Sequence, residues 1–586
     1  MKPPKSTQEF ITLLKKENDL CIISEEIDPH LELAEIQRQA AKQKTKALLF
    51  TNVKGTRFPV ATNLYGSEKR LSLAFGGHPE KVIKEIVALQ EDLIPFSLKK
   101  AWQKRCLLKR LLRMGTSQTT KAPVFENKIA APGLKTLPQI KSWPEDGGAF
   151  ITLPLVYTQS PHTHKNNLGM YRVQLHDEKT CGLHMQIHRG GGFHYHEAQQ
   201  LNQALPAHIY IGGPPALTLA AIAPLPENVP ELLFASLLLN EKIKQARAPQ
   251  ISQLPIIAHA DFCIIGDIPP HKRKPEGPFG DHYGYYSLKH DYPFMEVSHV
   301  FHRNNAVFPA TVVGKPPQED HYITCYLQDI FNPLIKLVMP QVLDLWAYEE
   351  SGVHTVASAI VKDRYPREAL TTALRILGEG QLSLTKVLFL TDKNINIKNF
   401  KLFLPHVLER MDFEKDLFVI APSSQDTLDY TGPKVNHGSK AIFLGVGDKK
   451  RALPEFFEGN LPQPFSEPHV FCPGVLAITG PAFSEDKSFF NNLSHEESLK
   501  NWPLLFIFDD AQKAADTTEE FLWHAFTRFE PASDFYAKDI ELQRFHPTIT
   551  TPLIIDCRLK PWYPKTLESN PEIMQKAERL LNKKLN

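Results

Sequence analysis

Continuous apolar runs dominate the second half of the chain. Val387-Leu388-Phe389-Leu390, Leu417-Phe418-Val419-Ile420, Ala441-Ile442-Phe443-Leu444, Leu504-Leu505-Phe506-Ile507-Phe508 and Leu553-Ile554-Ile555 lack the polar alternation of a half-exposed strand. Strands buried on both faces read this way, because neither face meets water. Helical spacing of apolar positions at 368–377, 400–411 and 519–529 lies before and between these runs. The pattern predicts an α/β domain with a largely parallel sheet. The first hundred or so residues show the same alternation on a smaller scale. Ser6 followed by Glu9 makes a capping box for a helix with Phe10, Leu13 and Leu14 on one face. Short strands are expected at 20–23, 47–50 and 58–61, with a helix at 31–44 between the first two. A connection containing Pro123, Pro132, Pro138 and Pro144 ends at Gly147-Gly148 and holds a boundary. Beyond it, β-prone segments at 149–157, 170–175, 181–187, 209–212 and 262–265 are punctuated by Gly and Pro. They predict a mainly β, barrel-like domain over residues 146–310. No internal repeat and no low-complexity segment is visible.

Composition narrows the class. A chain of 586 residues is too long for one ordinary core and suggests roughly two to four domains. Its 42% hydrophobic and 23% charged residues are those of a globular protein, and a net charge of +2 gives no global reason to expect nucleic acid. Seven scattered cysteines without a CxxC pair fit reduced thiols rather than a disulfide framework or a structural zinc site. Met1 to Ser6 carries no apolar signal region, and no apolar run reaches the ~18 residues needed to span a bilayer. The expected location is therefore cytoplasmic. One stretch adds a qualification. Lys99, Lys100, Lys104, Arg105, Lys109, Arg110 and Arg113 interleave with Trp102, Leu107, Leu108, Leu111 and Leu112. Such a stripe either lies on an anionic membrane surface, a peripheral contact at the inner face, or is a solvated basic face packed on its own domain.

Candidate chemistry concentrates in two places. Pro275-Glu276-Gly277-Pro278-Phe279-Gly280-Asp281-His282-Tyr283-Gly284-Tyr285-Tyr286 sets two carboxylates five residues apart among turn-formers. A loop held in one shape can aim acids at a ligand, the alternative being a solvated surface turn. Upstream lie Asn167-Leu168-Gly169-Met170-Tyr171-Arg172 and Leu183-His184-Met185-Gln186-Ile187-His188-Arg189-Gly190-Gly191-Gly192. On a strand, His184, Gln186 and His188 would share one face. With 24 histidines in the chain, any single one is more often structural than a ligand.

Taken with Pro309-Ala310-Thr311-Val312-Val313-Gly314-Lys315-Pro316-Pro317-Gln318-Glu319-Asp320, Gly438-Ser439-Lys440 and Asp556-Cys557-Arg558-Leu559-Lys560-Pro561, these motifs resemble in order and spacing the UbiD family of decarboxylases. The resemblance covers nearly the whole chain. It implies an α/β multidomain (α+β) fold: an N-terminal α/β domain over 1–115, a central split β-barrel flavin-binding domain over 116–325, and a C-terminal α/β oligomerisation domain over 326–586. It further implies prenylated FMN, bound with a divalent cation, usually Mn2+, and K+, and supplied by a partner flavin prenyltransferase. The activity implied is reversible non-oxidative decarboxylation of an aromatic acid by a homo-oligomer, a dimer or a hexamer.

Carried over by matching position, Asn167, His188 and Glu231 would hold the metal. Met170, Arg172, Gln186, Arg189, Gly190 and Lys440 would join them around the cofactor, Lys440 at its phosphate. Arg172, Glu276 and Asp281 would be the catalytic network. An amide oxygen, an imidazole and a carboxylate form a donor set that suits manganese, and Arg172 can orient a substrate carboxylate and lock Glu276 through charge-assisted hydrogen bonds. Asp281 is the expected proton donor, which requires its carboxyl to be raised above the free value of about 3.9. The 309–320 run is closer to the menaquinone branch, acting on a dihydroxynaphthoate, than to the ubiquinone branch, acting on a 4-hydroxy-3-polyprenylbenzoate. The chain departs from the family pattern at Lys244-Gln245-Ala246-Arg247-Ala248 and in the His-rich run at 181–188. Two rival readings are a metal-dependent hydrolase built on His184, His188, His194 and His196, and a catalytically silent flavin-binding protein.

Overall fold

A computed structural model describes residues 2–76, 79–92, 102–130, 133–186, 190–225, 229–483 and 490–585. The chain divides into two compact units: residues 1–314, 318–331 and 566–586 form the first, and 315–317 with 332–565 the second.

In the first unit the capped helix is Thr7–Lys16, where Ser6 Oγ accepts the Glu9 N–H at 3.2 Å and Phe10, Ile11 and Leu14 are buried. Strands Leu20–Ile23 and Ala47–Phe50 pair in parallel across the helix Glu32–Lys42, as the apolar pattern predicted. Val60–Thr62 adds an antiparallel third strand, and Phe308–Pro309 pairs in parallel with it. A chain segment more than two hundred residues away thus completes the small sheet. The mainly β region is a ten-stranded sheet. Its main path runs Ala149–Ile151, Val173–Leu175, Thr180–Leu183, His290–His302, Phe262–Ile268, Leu205–Ile211, Pro154–Gln159 and Asn166–Gly169, antiparallel throughout. Ile23, Phe50 and Val60 of the small sheet share one apolar core with Val156, Ile209 and Ile264 of the large one. Ala577 and Leu581 of the C-terminal helix Pro571–Leu585 enter the same core.

Two local expectations change. The strand expected over 170–175 is interrupted at 170–172 and begins at Val173, so Arg172 stands at the end of the ladder, its carbonyl accepting the His184 N–H at 3.2 Å. The strand expected over 181–187 ends at Leu183, so strand alternation does not set the faces of His184 and Gln186. Ile187, His188 and Arg189 lie outside the described residues.

The basic stretch forms the helix Arg105–Leu111, whose Leu107 is buried and whose Arg110 Nη2 donates to the Leu237 carbonyl at 2.9 Å. Trp102 and Leu112 are exposed, and residues 99–101 lie outside the described residues. Among the described residues no helix is long and apolar enough to cross a membrane. Each of the seven cysteines is a free thiol.

In the second unit the parallel strands expected from the apolar runs are present, divided between two sheets. One runs Val342–Ala347, Val356–Val361, Val387–Thr391, His437–Gly445, Leu417–Ser424. The other runs Ser466–Cys472, Val475–Thr479, Leu504–Phe508, Leu553–Asp556, Phe535–Tyr536. In each, the three inner strands are parallel and both edges antiparallel.

Candidate functional site

The loop that carries the two acids is fastened on several sides. The strand Arg273–Glu276 pairs with the start of His290–His302, which buries Glu276 completely. After it, Gly277 N–H donates to Gln174 Oε1 at 2.9 Å, Phe279 N–H to Ser287 Oγ at 3.1 Å, and Gly280 N–H to Asp146 Oδ1 at 2.7 Å. Gly280 is required here for closeness: a Cβ on it would stand 2.1 Å from the Trp143 ring. Asp146 is itself buried and also accepts the Ser142 and Trp143 N–H groups, at 3.0 and 2.8 Å. Burial pushes its carboxyl up to about 6, against the pull of those N–H donors. The loop is therefore a shaped, buried element and not a solvated turn.

Arg172, at the interruption of its strand, reaches this loop. Its Nε donates to Glu276 Oε1 at 2.8 Å and its Nη2 to Glu276 Oε2 at 3.1 Å, a bidentate pair. Nη2 also donates to Ser287 Oγ at 3.1 Å, and Nη1 donates to Asp281 Oδ2. The guanidinium lies 4.6 Å from the Phe279 ring centroid. Among the described residues four of its five N–H groups thus have partners, and the fifth, on Nη1, is the one a ligand could take. His184 Nδ1 donates to Glu276 Oε2 at 3.2 Å, and His282 Nδ1 donates to Asp281 Oδ1 at 2.7 Å. Gln186 Nε2 faces the other nitrogen of His184 at 3.3 Å.

The charges follow from this geometry. Burial alone would raise both carboxyls. Burial is the largest single influence, but the Arg172 guanidinium together with His184 at Glu276 and with His282 at Asp281 outweighs it. Glu276 is held down at about 2, and Asp281 lies well below the ordinary carboxylate range. Arg172 itself is held charged, because the two carboxylates outweigh its burial. Burial and the neighbouring Arg172 lower His184. This corrects the expectation of an Asp281 raised by burial. That expectation counted desolvation and omitted a cation 109 positions away that touches the carboxylate directly.

A second group lies on Asn166–Gly169 and on the helix Glu231–Leu239, whose first residue Glu231 follows Pro230. Glu231 Oε2 accepts the Leu168 N–H at 3.1 Å, which places the carboxylate beside Asn167. Burial raises the Glu231 carboxyl. Asn167 Nδ2 and the Gly191 N–H both donate to Tyr171 Oη, at 3.2 and 3.1 Å. Gly190 opens the helix Gly190–Gln200 against Asn167, and a Cβ there would lie 2.1 Å from Asn167 Oδ1. Among the described residues the neighbouring Asn166 Oδ1, which is buried, has no hydrogen-bond partner.

The structure thus brings Arg172, Glu276 and Asp281 together, and separately Asn167, Glu231 and Gly190. Met170 is half-buried, its N–H donating to the Ala221 carbonyl at 3.3 Å. Lys440 belongs to the second unit, where its amine donates to the Ser383 and Thr385 carbonyls at 2.7 and 2.8 Å and burial lowers it to about 8. His188 and Arg189 lie outside the described residues. The histidines of the hydrolase reading occupy unrelated settings: His184 on Glu276, His194 on Thr158 at 2.9 Å, and exposed His196 on Gln200 at 3.1 Å. Among the described residues they form no metal-sized group. Sequence reasoning missed Asp146, Tyr171, His282 and Ser287 as supports. Asp146 stands just before Gly147-Gly148, and Ser287 directly follows the acid loop, but neither position signals a partner across the sheet.

Comparison with known proteins identifies the family. Residues 11–90, 116–316 and 321–445 match in turn the N-terminal, Rift-related and C-terminal domains described for 3-octaprenyl-4-hydroxybenzoate carboxy-lyase, the UbiD family. A Chlamydia pneumoniae protein named as a component of 4-hydroxybenzoate decarboxylase is 44% identical over 570 residues, 97% of each chain. The closed form of vanillic acid decarboxylase from Sedimentibacter hydroxybenzoicus shares the fold with a TM-score of 0.68 at 24% identity, covering 79% of this chain and 96% of that one. An evolved dimeric form of the UbiD-class enzyme HmfF from Pelotomaculum thermopropionicum, in complex with prFMN, has a TM-score of 0.61 at 21% identity and covers 77% of this chain and 97% of that one. With three successive segments matching the three domains of one family in order, and a relative of high identity along almost its whole length, the chain belongs to the UbiD family of carboxy-lyases.

Proposed function

We propose that this carboxy-lyase uses prenylated FMN to remove carbon dioxide from an aromatic acid, with Arg172, Glu276 and Asp281 as its catalytic residues. The observation that carries the reading is the buried guanidinium clamped between two ionised carboxylates, with the neighbouring residue Tyr171 bonded to the second cluster of Asn167 and Gly191.

The second cluster fits the phosphate end of such a cofactor. The Gly-rich start of the helix Gly190–Gln200 packs against Asn167 and Tyr171 too closely for a Cβ, which sets a helix N-terminus, a favourable place for a phosphate, beside the proposed metal ligands. Glu231, raised by burial, is a carboxylate that a cation would relieve. Asn167 and Glu231 offer oxygen ligands side by side, and His188 would add an imidazole. This set suits a divalent ion such as Mn2+. Gln186, Met170 and Arg189 complete the proposed cofactor shell, with K+ as the second cation. Lys440 has two of its three donors on carbonyls and is left out of the phosphate set. Bound there, prenylated FMN would supply the electrophilic sink for the electron pair released with carbon dioxide.

The chain's own residues hold and move the rest. Glu276, fully buried and doubly bonded, fixes the plane of the Arg172 guanidinium, whose remaining Nη1 N–H is available to the substrate carboxylate. An anionic substrate beside Asp281 raises that carboxyl by like-charge repulsion. His282, a quarter exposed and 2.7 Å from Asp281 Oδ1, links the buried acid to solvent for proton uptake. Asp281 then gives the proton to the carbon that carried the carboxylate.

For the substrate we favour a dihydroxynaphthoate of menaquinone biosynthesis, with a 4-hydroxy-3-polyprenylbenzoate second. The preference rests on the 309–320 sequence resemblance. The relative's name points to hydroxybenzoates. The test is decarboxylation of these acids in deuterated water by protein made with and without a flavin prenyltransferase. Turnover with deuterium at the vacated carbon is expected only with the cofactor, and full activity in flavin-free protein overturns the reading.

A further inference from the structure

The two sheets of the second unit are built alike. Counting strands along the chain, and leaving aside the inserted hairpin Ile540–Gln543 with His546–Ile549, each has the spatial order 1-2-3-5-4. In each, strands 1 and 2 are antiparallel, 2 and 3 parallel, 3 and 5 parallel, and 4 and 5 antiparallel. The parallel ladders match residue for residue. Val356 pairs with Val387 and that with Ala441, and in the same places Val475 pairs with Leu504 and that with Leu553.

The faces correspond as well. Leu388, Leu390 and Ile442 point to a core shared with the crossover helix Glu368–Ile376. Leu505, Ile507 and Ile554, at the matching positions, point to a core shared with the crossover helix Phe490–Ser494. The opposite faces meet each other. Phe400, on the helix after strand 3 of the first module, lies 6.5 Å from Phe471 on strand 1 of the second. Reciprocally, the second of the two helices after strand 3 of the second module, Thr518–Phe526, which follows the short helix Ala511–Ala515, packs on the turn Glu349–Ser351 that follows strand 1 of the first. Its Phe526 lies 5.7 Å from Phe400 and 6.3 Å from Phe389. Ser439 Oγ accepts the Ala532 N–H across the same junction at 2.9 Å. Contact of element a with b and of b with a is the mark of an isologous, two-fold pairing. The family's C-terminal domain matches only through residue 445, the end of the first module.

We propose that residues 466–557 are a second copy of the module 342–445 and act as its tethered partner. The copy covers, from within one chain, the aromatic face by which a single module would pair with another copy of itself. Association between chains of this protein therefore uses other surfaces. A short tether keeps such a partner at an effective concentration on the order of millimolar, so the internal pair outcompetes a second chain. The proposal does not depend on the decarboxylase chemistry.

The test places one cysteine on each side of the junction, Ser439→Cys with Ala532→Cys, in the full-length protein. Oxidation is expected to close a disulfide inside one chain: a single-chain band on a non-reducing denaturing gel, and the same native mass by light scattering as the reduced form. A band of twice the chain mass, or a native mass that changes on locking, overturns the proposal. If the pair does not oxidise, the unaltered protein is treated with a lysine cross-linker and the single-chain band is digested. Links from Lys398 or Lys401 to the second module in that band support the proposal, and their confinement to higher-mass bands overturns it.

Discussion

Replacing Glu276 by glutamine removes one charge from the Arg172 network and preserves the side chain's shape. Glu276 accepts guanidinium N–H bonds at 2.8 and 3.1 Å and a His184 N–H at 3.2 Å, with none of its surface exposed. Its carboxyl is held at about 2 against an ordinary 4.5, which corresponds to about 3 kcal/mol of folding free energy at pH 7. A folded value below the unfolded one stabilises fully above the unfolded value, and the contribution is lost as the pH falls through the folded value. The window here runs from about pH 4.5 down to about pH 2. A glutamine keeps one acceptor and turns an N–H2 toward donors of Arg172 or His184, so it does not recover the loss. For a unit of about 350 residues, ~3 kcal/mol lowers the melting temperature by roughly 4 °C. Calorimetric melts of both proteins without cofactor at pH 7, 5, 4 and 3 measure the gap. It should be constant from pH 7 to 5 and shrink to less than half by pH 3. A gap of the same size at pH 5 and pH 3 refutes the reasoning, because the stability would then not come from the ionised carboxylate.

Asp281→Asn should, like Glu276→Gln, melt at a lower temperature at pH 7, keep its cofactor, and lower turnover by about 10²- to 10⁴-fold, the usual value of a positioned proton donor; deuterium entering the product as fast as in the unaltered protein would remove Asp281 from that role. Glu231→Ala should chiefly reduce the flavin and manganese that co-purify with the protein, and stoichiometric retention of both would exclude it as a ligand. Gly280→Ala drives a methyl to 2.1 Å from the Trp143 ring. The loop must shift, at a cost of about 1 to 3 kcal/mol, and an unchanged melting temperature together with unchanged turnover would show that the close approach does not matter.

The acid loop and its carboxylates were legible in the sequence because turn-formers and acids are local signals. The partners that set their charge were not. Arg172 reaches Glu276 across 104 positions and Asp281 across 109, and the direction of the Asp281 shift depends on that contact. Asp146, which anchors Gly280 across 134 positions, carries no mark in its own neighbourhood.

The apolar runs by themselves determined that the C-terminal half contains buried strands joined by helices, since burial on both faces leaves no room for polar alternation. The motif series determined the family. Only the tertiary structure decided that those strands form two sheets of one design. Strand pairing and direction are made by backbone hydrogen bonds, which are the same for every residue, while the buried positions require only that side chains be apolar and fill space. Phe389 and Phe506 occupy matching places, as do Ala441 and Leu553. A repeat held by backbone pairing can lose its likeness in sequence and keep it in the ladder.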